Sequence, residues 1–323
     1  MRTVRREYSV CIALSLILFA LAIFAPSFYQ PTPFLSFLAR QAPALIVTCG
    51  AALIIIARQI DISVGSQLAV CSVCAGLLST ANWPAGLVLL AAIALGATLG
   101  SINGFFVAGL RLPSIVVTLA TMVTWREALR WKRQGAFVNL PQGAQWFGLS
   151  QTQGQLTIIV VALAVLAGLA LLTRHLAAGR FIYATGSDVE AARLAGIRPQ
   201  LVTFSLFVVM GALSGLAAVL NNAQSPQVDP KAGTGLELKA IAAVVVGGVA
   251  ISGGRGHLWG VFVGFLLMAC VSPALVYLHI EAYWERAIAG AIILLAVLGD
   301  GLGSVQKTTT SGSLASGETV TSR

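Results

Sequence analysis

The chain has 323 residues, of which 57% are hydrophobic and 10% charged; 20 Lys and Arg stand against 11 Asp and Glu, for a net charge of +9. Soluble domains carry roughly 25% charged residues, so this chain cannot keep a whole surface wet, and its mean hydropathy of +0.88 agrees. A soluble enzyme, a nucleic-acid-binding protein and a disordered scaffold are excluded together. The scattered basic excess reads as residues held on the cytoplasmic side of a membrane, with lipid as the solvent and no nucleic acid as a partner.

A membrane-spanning helix needs about 20 apolar residues. About ten stretches qualify on that rule: 9–25, 42–57, 63–80, 85–108, 113–129, 156–173, 201–222, 236–251, 257–279 and 284–299. None alternates as a barrel strand would. Helices satisfy their own backbone groups in lipid, so the expected fold class is all-α, a polytopic membrane helical bundle. The first stretch follows Arg2, Arg5 and Arg6 and reads as an uncleaved anchor; Ala20-Leu21-Ala22 would be a poor signal-cleavage site. Ten spans from that start put both termini in the cytoplasm. Arg58, Arg111, Arg174, Arg180, Arg193, Arg198 and Arg255 then fall inside, and Arg40, Lys231, Lys239 and Arg286 outside. The cluster Arg126, Arg130, Lys132 and Arg133 also falls outside, against the basic bias; it either closes an external loop at 130–155 or marks an error in the count.

Three stretches look short or interrupted. Residues 42–57 begin at Pro43; 63–80 hold Ser63, Gly65, Ser66, Gln67 and Ser72; 236–251 contain Gly247-Gly248 and run into Ser252-Gly253-Gly254-Arg255-Gly256. Close helix packing through small residues and broken helices along a pathway both account for them. Residues 1–303 are expected to form the transmembrane domain. Residues 304–323, rich in Ser, Thr and Gly, are expected to be a disordered cytoplasmic tail.

Groups able to do chemistry are scarce. His175, His257 and His279 fall at loops or span edges, and no two carboxylates share a mid-span face. Cys11, Cys49, Cys71, Cys74 and Cys270 lie in apolar stretches, and Cys71-Ser-Val-Cys74 has no second pair, so no metal site is expected. Gly248 to Arg255 has the glycine spacing of a phosphate-binding loop but not its Lys or the following Ser/Thr. No enzyme activity and no cofactor are expected of the chain, and if energy drives transport here, a partner must supply it. Ser66, Gln67, Asn103, Thr118, Thr121, Asn221 and Asn222 are uncharged polar groups at or near membrane depth. They are candidates for a translocation path that passes a neutral, hydroxyl-rich solute; interhelical hydrogen bonding is the competing use of each. Asp61 precedes a helix and is expected to cap it, with Ser63 sharing the role.

Residues 174–200 form the largest expected internal loop. Within it Ser187 and Glu190 have capping-box spacing, Ala191, Ala192 and Leu194 favour helix, Gly196 suits a left-handed end, and Pro199 blocks continuation. A helix of about two turns over 188–195, carrying Glu190 and Arg193, is marginal in water alone. It either lies on the membrane surface or serves as a docking helix for a cytoplasmic partner.

The segment Gly179–Pro199 resembles the coupling loop of bacterial ABC importer permeases, Glu190-Ala191-Ala192 and Gly196 matching its Glu-Ala-Ala…Gly pattern. Ile60-Asp61-Ile62-Ser63-Val64-Gly65 is similar to the Ile-Asp-Leu-Ser-Val-Gly signature of the ribose/branched-chain-type sugar permeases. Asn103-Gly104 with Pro113 to Leu119, and Glu237 to Gly248 with Ser252 to Gly256, match that family's later blocks in order. The resemblance implies a permease subunit of a sugar importer in the bacterial inner membrane. It implies ABC ATPase subunits that bind the ATP, a periplasmic sugar-binding protein, and a second permease subunit, identical or paralogous. Arg58-Gln59-Ile60-Asp61 and Ala282-Tyr283-Trp284-Glu285 look most like the rhamnose and autoinducer-2 branches. Gln59 departs from a common Gly, and Arg130–Gln134 lacks a Thr-Gly-Gly-like turn. The alternative function is a free-standing secondary carrier or channel for a neutral small solute, which would need a coupling site of its own.

Overall fold

The computed structural model describes residues 2–277, 281, 284, 287–291 and 294. His279, most of the span expected at 284–299 and the tail at 304–323 lie outside the described residues. The chain is a helical membrane protein. In order, α1 (Arg2–Phe24), α2 (Pro31–Ile56), α3 (Val64–Thr80), α4 (Ala85–Gly104), α5 (Ser114–Arg133) and α6 (Gln151–His175) are followed by α7 (Ala177–Ser187), α8 (Val189–Leu194), α9 (Pro199–Asn222), α10 (Leu236–Val246) and α11 (Leu258–Tyr277). A π-helical turn, Phe105–Gly109, extends α4. Among the described residues five helices are long and apolar enough to cross a membrane: Pro31–Ile56, Ala85–Gly109, Gln151–His175, Pro199–Asn222 and Leu258–Val276.

The core is built around α2, which packs against α6, α9, α10 and α11. A helix that is hydrophobic on every side belongs in the interior, and α2 is buried continuously from Leu45 to Ile56. It also begins earlier than hydropathy indicates. Arg40 and Gln41 depress the local average, and Pro43 looks like a start, yet Pro43 lies inside an unbroken helix. A proline in a membrane helix removes one backbone bond, which tight surrounding packing tolerates. The seam between α4 and α9 is made of glycine. A β-carbon on Gly96 would overlap the Gly211 carbonyl, one on Gly211 the Gly96 carbonyl, and one on Gly100 the Phe207 carbonyl. Small residues here let two backbones touch.

At one end of the bundle the breaks between helices pack on each other. The Gly254 N–H donates to the Ile56 carbonyl at 2.8 Å, and Gly186 lies against both residues. At the other end, β1 (Val138–Asn139) pairs antiparallel with β2 (Gln227–Val228), Val138 opposite Val228. Trp146 N–H donates to the Ala223 carbonyl at 2.7 Å, closing the same clasp.

The basic cluster Arg126–Arg133 belongs to a helix, because α5 runs four residues past its expected end at 129. Arg130 pairs with Glu127 at 2.8 Å, Arg133 donates to the carbonyls of Ala136 and Phe137, and cations are favoured at a helix C-terminus. The expected external loop at 130–155 thereby shortens to 134–150. The stretch 236–251 is not one continuous helix. α10 has 11 residues, about 16 Å at 1.5 Å per residue, roughly half the hydrocarbon thickness. The glycine turn at 247–256, with Gly248, Gly253, Gly254 and Gly256 at positive φ, then reverses the chain.

Candidate functional site

Two places bring the singled-out residues together. The first is the segment between α6 and α9, which is more ordered than a loop. α7 buries Ile182 and Thr185 against the bundle, and the Tyr183 hydroxyl donates to the Gly256 carbonyl at 2.8 Å. α8 then projects from this anchored base. Its cap is not the expected pair. Ser187 is the last residue of α7, against Gly254, and the capping box of Ser187 with Glu190 does not form. Asp188, with extended backbone (φ −157°, ψ 114°), is the N-cap. Its Oδ1 accepts from Glu190 N–H at 2.9 Å and Ala191 N–H at 3.0 Å. The one-residue shift follows from α7, a helix inside the expected loop: once Ser187 is helical, the next residue must cap.

The far end of α8 closes through Gly196 at φ +81°. Gly196 N–H donates to the Arg193 carbonyl and Ile197 N–H to the Ala192 carbonyl, both at 3.0 Å. This is the paired closure that a left-handed residue permits. Pro199 opens α9 at its first position, where a missing N–H costs nothing. Ala192 is buried on the bundle side, while Leu194 is 88% and Val189 43% exposed. Glu190 and Arg193 face each other across 3.7 Å on the open side. Sequence reasoning assigned Leu194 only a helical preference. Its exposure on a six-residue helix is what makes it a candidate contact residue.

The second place is the connector 57–63 between α2 and α3. Asp61 is buried, and its Oδ1 accepts from Ser63 N–H at 2.8 Å and from Ser63 Oγ–H at 2.6 Å. Its Oδ2 accepts from Gln67 Nε2 at 3.2 Å. Ser63 Oγ in turn accepts from Gln67 Nε2 and Asn103 Nδ2, both at 2.8 Å. Thr121 Oγ1 donates to Asn103 Oδ1 at 2.9 Å. Thr118 Oγ1 accepts from Ile62 N–H at 3.2 Å, and Ser66 Oγ donates to the Ser63 carbonyl at 2.7 Å. Asp61 thus takes the free N–H ahead of α3. Ser63 occupies the N-cap position without a side-chain cap bond; its hydroxyl is spent on Asp61, Gln67 and Asn103.

Five of the seven path candidates, Ser66, Gln67, Asn103, Thr118 and Thr121, therefore meet in one hydrogen-bonded knot that ties the connector to α3, α4 and α5. Ser66, Gln67, Asn103 and Thr118 are fully buried within the single chain. Asn221 and Asn222 lie elsewhere, at the end of α9. Asn222 Nδ2 donates to the Ser72 carbonyl at 2.8 Å, and its other amide atom, Oδ1, is buried without a partner. Beside the knot, Gly65 touches the Gly233 backbone and the Glu237 carboxylate, and Glu237 Oε2 is buried and unpartnered. The start of α10 thus meets the start of α3. The glycines at positive φ before it, Gly233 and Gly235, are the sequence signal for that approach. Among the described residues no group of three or more His, Cys, Asp or Glu is placed to hold a metal ion.

These features define a class: a helical membrane protein with interrupted helices and a rigid helical unit presented at one end. Residues 34–297 match the family described as branched-chain amino acid transport system / permease component, and the chain belongs to that family. It is 34% identical over 304 residues to the autoinducer 2 import system permease protein LsrC of Escherichia coli O157:H7, covering 92% of this chain and 87% of that one. It is 31% identical over 299 residues to the ribose import permease protein RbsC of Escherichia coli K12, covering 91% of this chain and 93% of that one. No solved structure matches.

Proposed function

We propose that this chain is the membrane-spanning permease of an ATP-driven importer of a monosaccharide or sugar-like solute, of the ribose, rhamnose and autoinducer-2 class, in a bacterial inner membrane. The observation that carries the mechanism is the α7–α8 unit, buried on one side and bare on the other. A helix of six residues does not hold itself in water. This one is capped at both ends and packed through Ala192, while Leu194, Val189, Glu190 and Arg193 remain uncovered. An apolar side chain ringed by charge on a rigid base is how a surface engages a protein groove.

In this reading the α7–α8 unit faces the cytoplasm and receives the ATPase. The clasp of β1 with β2 faces out, where a solute-binding protein docks, and a second permease subunit completes the pore. The chain crosses ten times with both termini inside. The solute class rests on the relatives, which are named for ribose and autoinducer 2 import over nine-tenths of this chain.

The test is reconstitution of the chain with its ATPase and binding protein in proteoliposomes. Uptake should require ATP hydrolysis and the loaded binding protein. Uptake by the chain alone, driven by a proton gradient, would overturn the reading in favour of a secondary carrier. A cysteine placed at 188 in a Cys-free background should resist an impermeant reagent added from outside; labelling there would overturn the topology.

A further inference from the structure

A cavity of about 720 Å³ opens on the flank of the bundle, between the last turns of α6, the end of α10 and the start of α11, with Val10 and Cys11 of α1 along its edge. It sits at the end of the bundle that carries α7 and α8, since Tyr183 of α7 forms part of its wall. Its inner lining is apolar, from Ala170, Val246, Leu258 and Val263, and its rim carries Arg174, His257 and Trp259.

The polar groups divide into two kinds. The Thr173 hydroxyl donates to the Ala170 carbonyl at 3.0 Å and the Tyr183 hydroxyl to the Gly256 carbonyl at 2.8 Å, so both are engaged within the protein. Arg174 and His257 are exposed. Among the described residues no Asp or Glu lines the cavity. A sugar needs several free donors and acceptors and would find few here. A soluble anion would gain nothing from the apolar wall. What matches an apolar recess with a guanidinium and an imidazole at its mouth is an amphiphile with a negative head. Basic pockets between membrane helices take anionic headgroups in this way. Trp259, 58% exposed, is the kind of side chain that settles at the level of lipid headgroups.

We infer that this cavity is a binding site for an anionic phospholipid, its phosphate held by Arg174 and His257 and its acyl chains laid against Val246 and Val263. The inference does not depend on which solute is imported. A zwitterionic lipid fits less well, because its ammonium has no acidic partner on the rim.

The experiment uses the full chain in nanodiscs of phosphatidylcholine carrying a photoreactive phosphatidylglycerol, with the label mapped by peptide mass spectrometry. Label is expected in 170–174 and 257–263. It should fall about fivefold in Arg174→Gln, the effect of one basic residue near a headgroup, persist in Arg174→Lys, and fall in Val263→Trp, which fills the apolar wall. Unlabelled phosphatidylglycerol should compete in the wild-type protein, which needs no variant to fold. Wild-type labelling in Arg174→Gln, equal labelling by a photoreactive phosphatidylcholine, or displacement of the label by inorganic phosphate would each overturn the assignment.

Discussion

Asp61→Leu removes both carboxylate oxygens that the connector 57–63 presents at the start of α3. Two groups lose their bond to the carboxylate with no described replacement, the Ser63 N–H and the Ser63 hydroxyl; Gln67 Nε2 keeps its bond to Ser63 Oγ. A buried donor left unpaired costs about 1–3 kcal/mol, so the loss is on the order of 2–6 kcal/mol. Asp61→Asn differs in kind. Its Oδ1 still accepts from Ser63. Its Nδ2 would face the Gln67 amide donor unless that amide turns over. Turning over would place Gln67 Oε1, which has no partner in the native protein, on the new donor, while Ser63 Oγ keeps Asn103. The turnover takes Gln67 Nε2 off Ser63 Oγ, so one donor is left unpaired, about 1–3 kcal/mol, against two in Asp61→Leu. Fluorescence-detected gel filtration after a heating series reads both variants. Asp61→Leu should lose monodisperse protein at a clearly lower temperature than Asp61→Asn, which should keep most transport. A wild-type melting curve for Asp61→Leu would refute the account of the knot. Normal yield with altered solute selectivity in Asp61→Asn would make Asp61 a path residue instead of a structural one.

Three further outcomes follow from the geometry. Asp188→Ala removes both cap bonds of α8, about 1 kcal/mol, too little to unfold the bundle but enough to fray a helix of six residues; ATPase pull-down should weaken with membrane insertion intact. Ser187→Ala should leave the pull-down near wild type, and an equal loss in the two would restore Ser187 as the cap. Leu194→Asp should abolish most ATPase association and uptake while leaving thermal stability unchanged, because the side chain is uncovered; a drop in melting temperature equal to the loss of uptake would point to a packing role. Gly211→Val should sharply reduce the yield of folded protein in detergent, since its first carbon already overlaps the Gly96 carbonyl, whereas Gly168→Val, with open space at that position, should express normally.

The α7–α8 unit and the knot are connected in space. The Gly254 turn bonded to the end of α2 also lies against Ser187, and Arg58, the second residue beyond α2, adjoins Gly253. Contacts thus run without a gap from the end of α7 to the end of α2 and on to the connector that the knot holds.

What the amino-acid sequence determined by itself was whatever depends on local sums and short spacings. A chain with 10% charge must be solvated by lipid, and lipid leaves helices as the means of satisfying the backbone. The expected 63–80 and 201–222 lie within two residues of the helices Val64–Thr80 and Pro199–Asn222, because apolar runs bounded by polar residues or Pro state their own limits. Gly196 ends α8 for a reason written in one residue, its freedom at positive φ. Tertiary structure decided the rest. Asp188 replaced Ser187 as cap because α7, held by burial against the bundle, claimed Ser187 first. α2 ran through Arg40, Gln41 and Pro43 because its neighbours bury Ala39, Ala42 and Pro43 while Arg40 stays exposed. Thr118, 56 residues from its partner Ile62, and Asn103, 40 residues from Ser63, were legible as polar groups at depth but not as partners of one another. Hydropathy is a sum along the chain, whereas the partner of a buried polar group is chosen by which helices lie side by side, as α4 and α9 do at a glycine seam whose members stand more than a hundred residues apart.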